Sequence, residues 1–163
     1  MNTEHRLHLL KGLYHRPGFL LRRMHQISVG LFEERFRAER LTPPQLGVLY
    51  VLGECGVLDQ SALARALGYD RVTTLRIVRG LQARGLVDKQ ASPDHGRKVN
   101  LSLTPAGDAL LTACLPTSEA ISDELLEPLA PAERTQFLAL LEQLCAAHAA
   151  EARVPVQAPP DCG

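Results

Sequence analysis

The chain has 163 residues, 45% of them hydrophobic, no Trp and no net charge, which fits one compact globular domain and excludes a disordered chain. Aromatic residues make up 4%, too few for the stacking platforms of a single-strand nucleic-acid binder. No apolar run approaches the roughly 18 residues of a membrane span. The start, Met1 to Arg6, carries an acid with no apolar run behind it, so a cytoplasmic protein without a signal peptide is expected.

Residues 4–14 form a first amphipathic segment carrying Leu7, Leu9, Leu10 and Leu13. It stops at His15-Arg16-Pro17-Gly18, because proline suits a first helical turn and not a helix interior. A long helix is expected from Pro17 to Arg40. There Leu20, Met24, Ile27, Leu31 and Phe36 recur at helical spacing and predict a buried stripe. Thr42-Pro43-Pro44 is a cap followed by proline. It opens a helix with Leu46, Leu49, Tyr50 and Leu52 that stops near Gly53 or Gly56. Asp59 caps a short helix whose Leu63, Ala64 and Leu67 face inward, and Gly68 ends it. Asp70 caps the next helix, which reaches Arg84 and ends at Gly85 in the same way.

After Gly85 the period changes. Residues 86–90 read as a short strand, residues 91–97 as a turn, and residues 98–103 alternate polar with apolar. Together they predict a two-stranded hairpin with a basic tip. Thr104-Pro105 repeats the cap-plus-proline start and opens a helix with Leu110, Leu111, Leu115 and Ile121, which Pro116 should kink or interrupt. Ala130-Pro131 opens a last helix with Phe137, Leu140, Leu141 and Leu144. Residues 153–163 hold three prolines and predict a disordered tail.

Charge is unevenly spread. Residues 60–100 hold eight Lys/Arg against three acids, a net +5, whereas residues 105–163 hold two against nine, a net −7. A basic middle beside an acidic end is a local field suited to docking on phosphates. The four cysteines, Cys55, Cys114, Cys145 and Cys162, lie far apart and form no CxxC pair. That spacing matches neither a disulfide framework nor a zinc site, and buried small hydrophobes are the expected role. No metal or other cofactor is expected. No nucleophile–base set or phosphate-cradling Gly loop appears either, so the chain does not read as an enzyme.

Two short helices joined by a Gly turn and followed by a basic hairpin make a winged helix-turn-helix. In the second helix Thr74, Ile77, Val78 and Leu81 define a core face. Val72, Leu75, Arg76 and Arg79 fall opposite. Two arginines sharing a face with two aliphatics suit a helix in the major groove, where Arg grips guanine edges or phosphates and aliphatics touch thymine methyls. Packing of Val72 and Leu75 on another subunit is the alternative. Arg71 and Thr73, near the helix start, would contact phosphates or adjacent bases. Gln60 and Ser61, at the start of the first helix, join the candidate DNA contacts. On the wing tip His95, Arg97 and Lys98 are candidates too. Arg97 would enter a minor groove or rest on a phosphate.

Here the sequence resembles a family. Thr42-Pro43-Pro44-Gln45-Leu46-Gly47-Val48-Leu49, residues 60–68 (Gln-Ser-Ala-Leu-Ala-Arg-Ala-Leu-Gly), Leu81-Gln82-Ala83-Arg84-Gly85-Leu86-Val87 and Leu103-Thr104-Pro105-Ala106-Gly107 look like the MarR regulators over about residues 15–145. The resemblance implies a homodimer whose first and last helices intertwine. The family wing commonly reads Asp-x-Arg-Asp-x-Arg. This chain has Ser92, Asp94 and His95 at three of those places and keeps only the last arginine, Arg97.

Arg16-Pro17-Gly18-Phe19-Leu20-Leu21-Arg22-Arg23 and Gln26 further resemble MarR members that control aromatic-acid catabolism. That resemblance implies a repressor released from a pseudo-palindromic double-stranded operator by a small aromatic carboxylate. Arg16, beside the free N–H groups of a helix start, is a plausible carboxylate seat. His8, His15, Arg23 and His25 are polar candidates nearby, and inter-subunit salt bridges are the other role open to Arg16 and Arg23. The expected fold is mainly α with a small two- to three-stranded β wing. Its parts are dimerisation helices over 1–40, a winged lobe over 41–104, further dimerisation helices over 105–152, and the tail. A thiol- or metal-responsive regulator and a winged-helix protein-interaction module are the rival readings.

Overall fold

The computed structural model describes residues 10–91 and 99–159. Residues 10–14 are helical (α1). They are followed by α2 (Pro17–Arg35), α3 (Pro43–Cys55), β1 (Leu58–Asp59), α4 (Gln60–Leu67), α5 (Arg71–Ala83), β2 (Val87–Ala91), β3 (Val99–Leu103), α6 (Pro105–Leu126) and α7 (Pro131–Ala147). The strands make one antiparallel sheet in the order β1-β3-β2. Leu58 pairs with Leu101, and Val87 with Leu103. The mainly helical winged fold expected from the sequence is the fold observed.

Side-chain caps set the helix starts of the lobe. Thr42 accepts the Gln45 N–H at 3.4 Å while the Gln45 side chain accepts the Thr42 N–H at 3.1 Å, closing both ends of a capping box at α3. Asp59 accepts from the Ser61 and Ala62 N–H groups at 2.8 and 2.9 Å and starts α4. The same Asp59 pairs with Asn100 in the sheet. Gly68 and Gly85 stop α4 and α5 with φ of +65° and +67°, a left-handed backbone that other L residues adopt only with strain.

The core lies inside this lobe and extends up to α2 and α6. Leu49, Leu52, Leu63, Val78, Leu81 and Leu101 are fully buried within it. Phe32 and Phe36, with ring centroids 4.5 Å apart, close its upper side. An ion pair between Arg35 and Glu124 ties α2 to α6.

Several expectations are corrected. Helix α2 ends at Arg35 rather than Arg40, and the chain turns through residues 36–40 with Arg40 at φ +51°. The wing has three strands, within the two to three expected: β1 joins the hairpin, although its two residues are too few to leave a periodic signal. Pro116 does not interrupt α6, which runs through it. It is exposed, and so is Thr112, whose carbonyl the missing N–H leaves free for solvent. The predicted stripe of α2 is buried only toward its end: Leu20, Met24 and Ile27 are exposed in the single chain. No residue of α7 is buried. Residues 153–159, expected to be disordered, lie against α4, where the Gln157 N–H donates to the Arg65 carbonyl at 3.0 Å. No helix among the described residues is long and apolar enough to cross a membrane.

Candidate nucleic-acid interface

Helix α5 exists because Asp70 starts it and Gly85 stops it. The Asp70 carboxylate accepts the Thr73 N–H at 2.8 Å, and this bond, more than any other influence, holds its pKa below the ordinary carboxylate value. Thr74, Ile77, Val78 and Leu81 are buried, as the wheel requires. Thr74 is polar yet fully enclosed, and its hydroxyl donates to the Asp70 carbonyl at 2.9 Å, so burial leaves it satisfied.

The opposite face is open. Val72 is 78% exposed, Arg71, Arg76 and Arg79 are exposed, and Leu75 and Thr73 are half-buried. A nearly bare valine beside three arginines has no folding role within this chain. Its exposure puts an apolar side chain in the middle of a cationic face. Gln60 and Ser61 sit at the start of α4, half-buried and exposed. They share with Arg65, Tyr69 and Arg71 a cleft of about 410 Å³ that also borders β3 through Val99. Arg76 borders a second groove with Thr42 and Gln45 at the start of α3. Six of the eight candidates on the two helices thus lie on α5, and the other two, Gln60 and Ser61, open onto this cleft beside Arg71. The wing candidates His95, Arg97 and Lys98 lie outside the described residues.

Two side chains tie the lobe together through bonds of which the sequence signalled only the Thr104 cap. Arg84, just past α5, donates from Nη2 to the Glu39 carbonyl at 2.7 Å and from Nη1 to the Arg40 carbonyl at 3.1 Å. Thr104 donates to the Gly85 carbonyl at 2.7 Å and accepts the Gly107 N–H at 3.0 Å. The end of α5 is therefore tied both to the turn after α2 and to the start of α6.

Of the candidate effector residues, His15, Arg16, Arg23 and His25 are all exposed in the single chain, and His8 lies outside the described residues. Arg16 occupies the position before the first turn of α2, where its carbonyl accepts from Phe19 and Leu20. Arg22 and Arg23 both donate to the Gln26 side chain, at 3.1 and 3.3 Å. Among the described residues no three of His, Cys, Asp and Glu converge on a metal position. Cys114 is buried and free, as the sequence led us to expect, and Cys145 is free and exposed. Cys145, by its exposure, and Cys55, which is disulfide-bonded, both depart from the expected role of buried small hydrophobes.

The MarR family model matches residues 41–98. The HTH-type transcriptional repressor NicR of Pseudomonas putida is 35% identical over 127 residues, covering 78% of this chain and 80% of the relative. BpsR of Bordetella bronchiseptica, solved to explain how 6-hydroxynicotinic acid regulates its DNA binding, superposes with a TM-score of 0.77 at 32% identity over 80% of this chain and 94% of that one. PcaV of Streptomyces coelicolor, a transcriptional regulator in complex with its natural ligand, gives a TM-score of 0.76 at 32% identity, over 83% and 95%.

Proposed function

This chain belongs to the MarR family of transcriptional regulators, and from that premise we propose that it is a homodimeric repressor released from a pseudo-palindromic operator by a small aromatic carboxylate. The observation that carries the DNA-binding part is the solvent face of α5, where bare Val72 stands among Arg71, Arg76 and Arg79. Such a face fits a major groove, with arginines on guanine edges or phosphates and the aliphatics on thymine methyls. Gln60 and Ser61 would grip the flanking backbone, and Arg97 the neighbouring groove.

Dimerisation is supported by the apolar surface left bare at both ends of the chain. Leu10, Leu13, Leu20, Leu21, Met24 and Ile27 are exposed on α1 and α2, and Leu138, Leu140 and Leu144 on α7. Apolar surface left bare along several helices at once is what an interface would cover. Residues 1–40 and 105–152 then serve as dimerisation arms around a winged lobe of residues 41–104. Two recognition helices would enter successive major grooves about one helical turn apart.

The effector reading rests on the relatives, one of which has its DNA binding regulated by an aromatic acid, and on the cationic start of α2. His15 and Arg16 flank the N-terminus of α2, which favours a carboxylate, and Arg23 and His25 lie about two turns further along the helix. By linkage, an acid that releases DNA must bind the DNA-free form more tightly.

Fluorescence anisotropy with promoter fragments from beside the chain's own gene tests the reading. Binding should weaken steeply with salt, as phosphate contacts require. Arg76→Ala should lose roughly 1–3 kcal/mol of specific binding, and full affinity in that variant would rule out the assigned face. Sedimentation should give a dimer that Leu20→Glu splits. Benzoates, hydroxybenzoates and nicotinates are then titrated against the complex, and a set in which none releases DNA removes the effector assignment.

A further inference from the structure

Residues 153–159, beyond α7, do not leave the molecule. They return to the winged lobe and lie against α4. The Gln157 N–H donates to the Arg65 carbonyl at 3.0 Å. A Cβ added to Gly68 would meet the Val156 side chain at 2.9 Å and the Val154 carbonyl at 3.5 Å, so the segment rests directly on the turn between α4 and α5. Val154 is half-buried and lines the same cleft as Gln60, Ser61 and Arg71. Arg153 is close enough to Asp70, the cap of α5, to act on its charge. Every one of these contacts falls on or beside residues assigned to the DNA backbone.

We propose that residues 153–159 form an autoinhibitory strap, seated across the turn of the helix-turn-helix, that must lift before a phosphate can enter the cleft formed by Gln60, Ser61 and Arg71. The inference rests on the DNA-binding reading above and adds a regulator of that same surface. The contacts are few, one hydrogen bond and two valines, but the strap is tethered, so it competes at an effective concentration that no free peptide reaches. Its lack of acidic side chains means that it does not imitate DNA by charge. It acts by occupying space. The open fraction then scales the apparent affinity and the association rate alike.

The test compares the full chain with a form ending at Ala152 and with Gln157→Pro, which removes the donated N–H while keeping the length. The truncation removes one cation, Arg153, and one anion, Asp161, so net charge is unchanged and a change in affinity is not a change in long-range attraction. All are measured in reducing buffer, on a mixed-sequence duplex in dilute salt and on a promoter fragment from beside the chain's own gene. Both variants should bind roughly three- to tenfold more tightly, through faster association at an unchanged dissociation rate. Unchanged or weaker binding in Gln157→Pro overturns the strap, whether or not the truncated form folds. A full chain that binds the promoter fragment with no gain in either variant overturns the strap alone. Failure of every form to retain either duplex overturns the DNA-binding reading, and the strap with it.

Discussion

The guanidinium of Arg84 holds the backbone of Glu39, donating to its carbonyl at 2.7 Å across 45 positions of sequence. With the Arg40 bond at 3.1 Å it forms a fork that fixes a turn whose Arg40 is already in a left-handed conformation. Bidentate geometry of this kind is specific to arginine. Arg84→Lys should therefore behave like Arg84→Ala, each costing about 1 kcal/mol because the bonds are exposed to solvent. A melting temperature lowered by about 2–4 °C in both variants is the expected result. Full recovery in the lysine variant would show that charge alone holds the turn.

Gly107 lies against the Leu86 carbonyl oxygen, which also accepts the Thr104 N–H at 3.1 Å. A Cβ at this position would overlap that oxygen, and backbone on both sides leaves nothing flexible to give way. Gly107→Ala is expected to cost about 3 kcal/mol, read from the midpoint of urea unfolding. A loss below about 0.5 kcal/mol, the range of ordinary surface changes, would show that the start of α6 moves away from the sheet.

The Asp70 carboxyl is held below its ordinary pKa chiefly by the Thr73 N–H. A depressed folded value means that the ionised cap stabilises α5 above the unfolded pKa, and that this contribution is lost as pH falls through the folded value. Asparagine caps as well as aspartate but does not titrate. The stability advantage of the native chain over Asp70→Asn should therefore shrink between about pH 5 and pH 3. Thermal melts showing a constant gap across that interval would contradict the assignment.

Burial pushes the Cys114 thiol above its ordinary pKa, the Glu39 carboxylate adds to the rise, and Arg84 opposes it. Its thiolate is accordingly scarce at neutral pH, and thiolate is the reactive form. Iodoacetamide labelling followed by mass spectrometry should modify exposed Cys145 well before Cys114. Equal rates would indicate that α6 opens in solution. In Arg84→Ala the Cys114 rate should fall further, because the one influence lowering its pKa is gone.

The parts legible in the sequence are those written by neighbours along the chain. Thr42, Asp59, Asp70 and Thr104 announce helix starts, Gly68 and Gly85 announce stops, and the wheel of α5 separates Ile77 and Val78 from Val72 and Arg76. The end of α2 carries no such signal, because Phe36 continues the apolar spacing after the helix has stopped at Arg35. Periodicity also reports that a face is apolar without saying what covers it, so Leu20 and Ile27 read as core and stand exposed in one chain. The Arg84 fork and the seat of residues 153–159 on α4 depend on residues far apart in sequence, and composition gave no hint of either.

Asp59 belongs to two elements at once, standing opposite Asn100 in the sheet and capping α4. Any tilt of the wing is thus handed straight to the front of the helix-turn-helix, without a loop to absorb it. On the function proposed above, an effector acting on the arms would have to swing each lobe whole, and the spacing between two lobes, rather than the shape of either, would be what regulation sets.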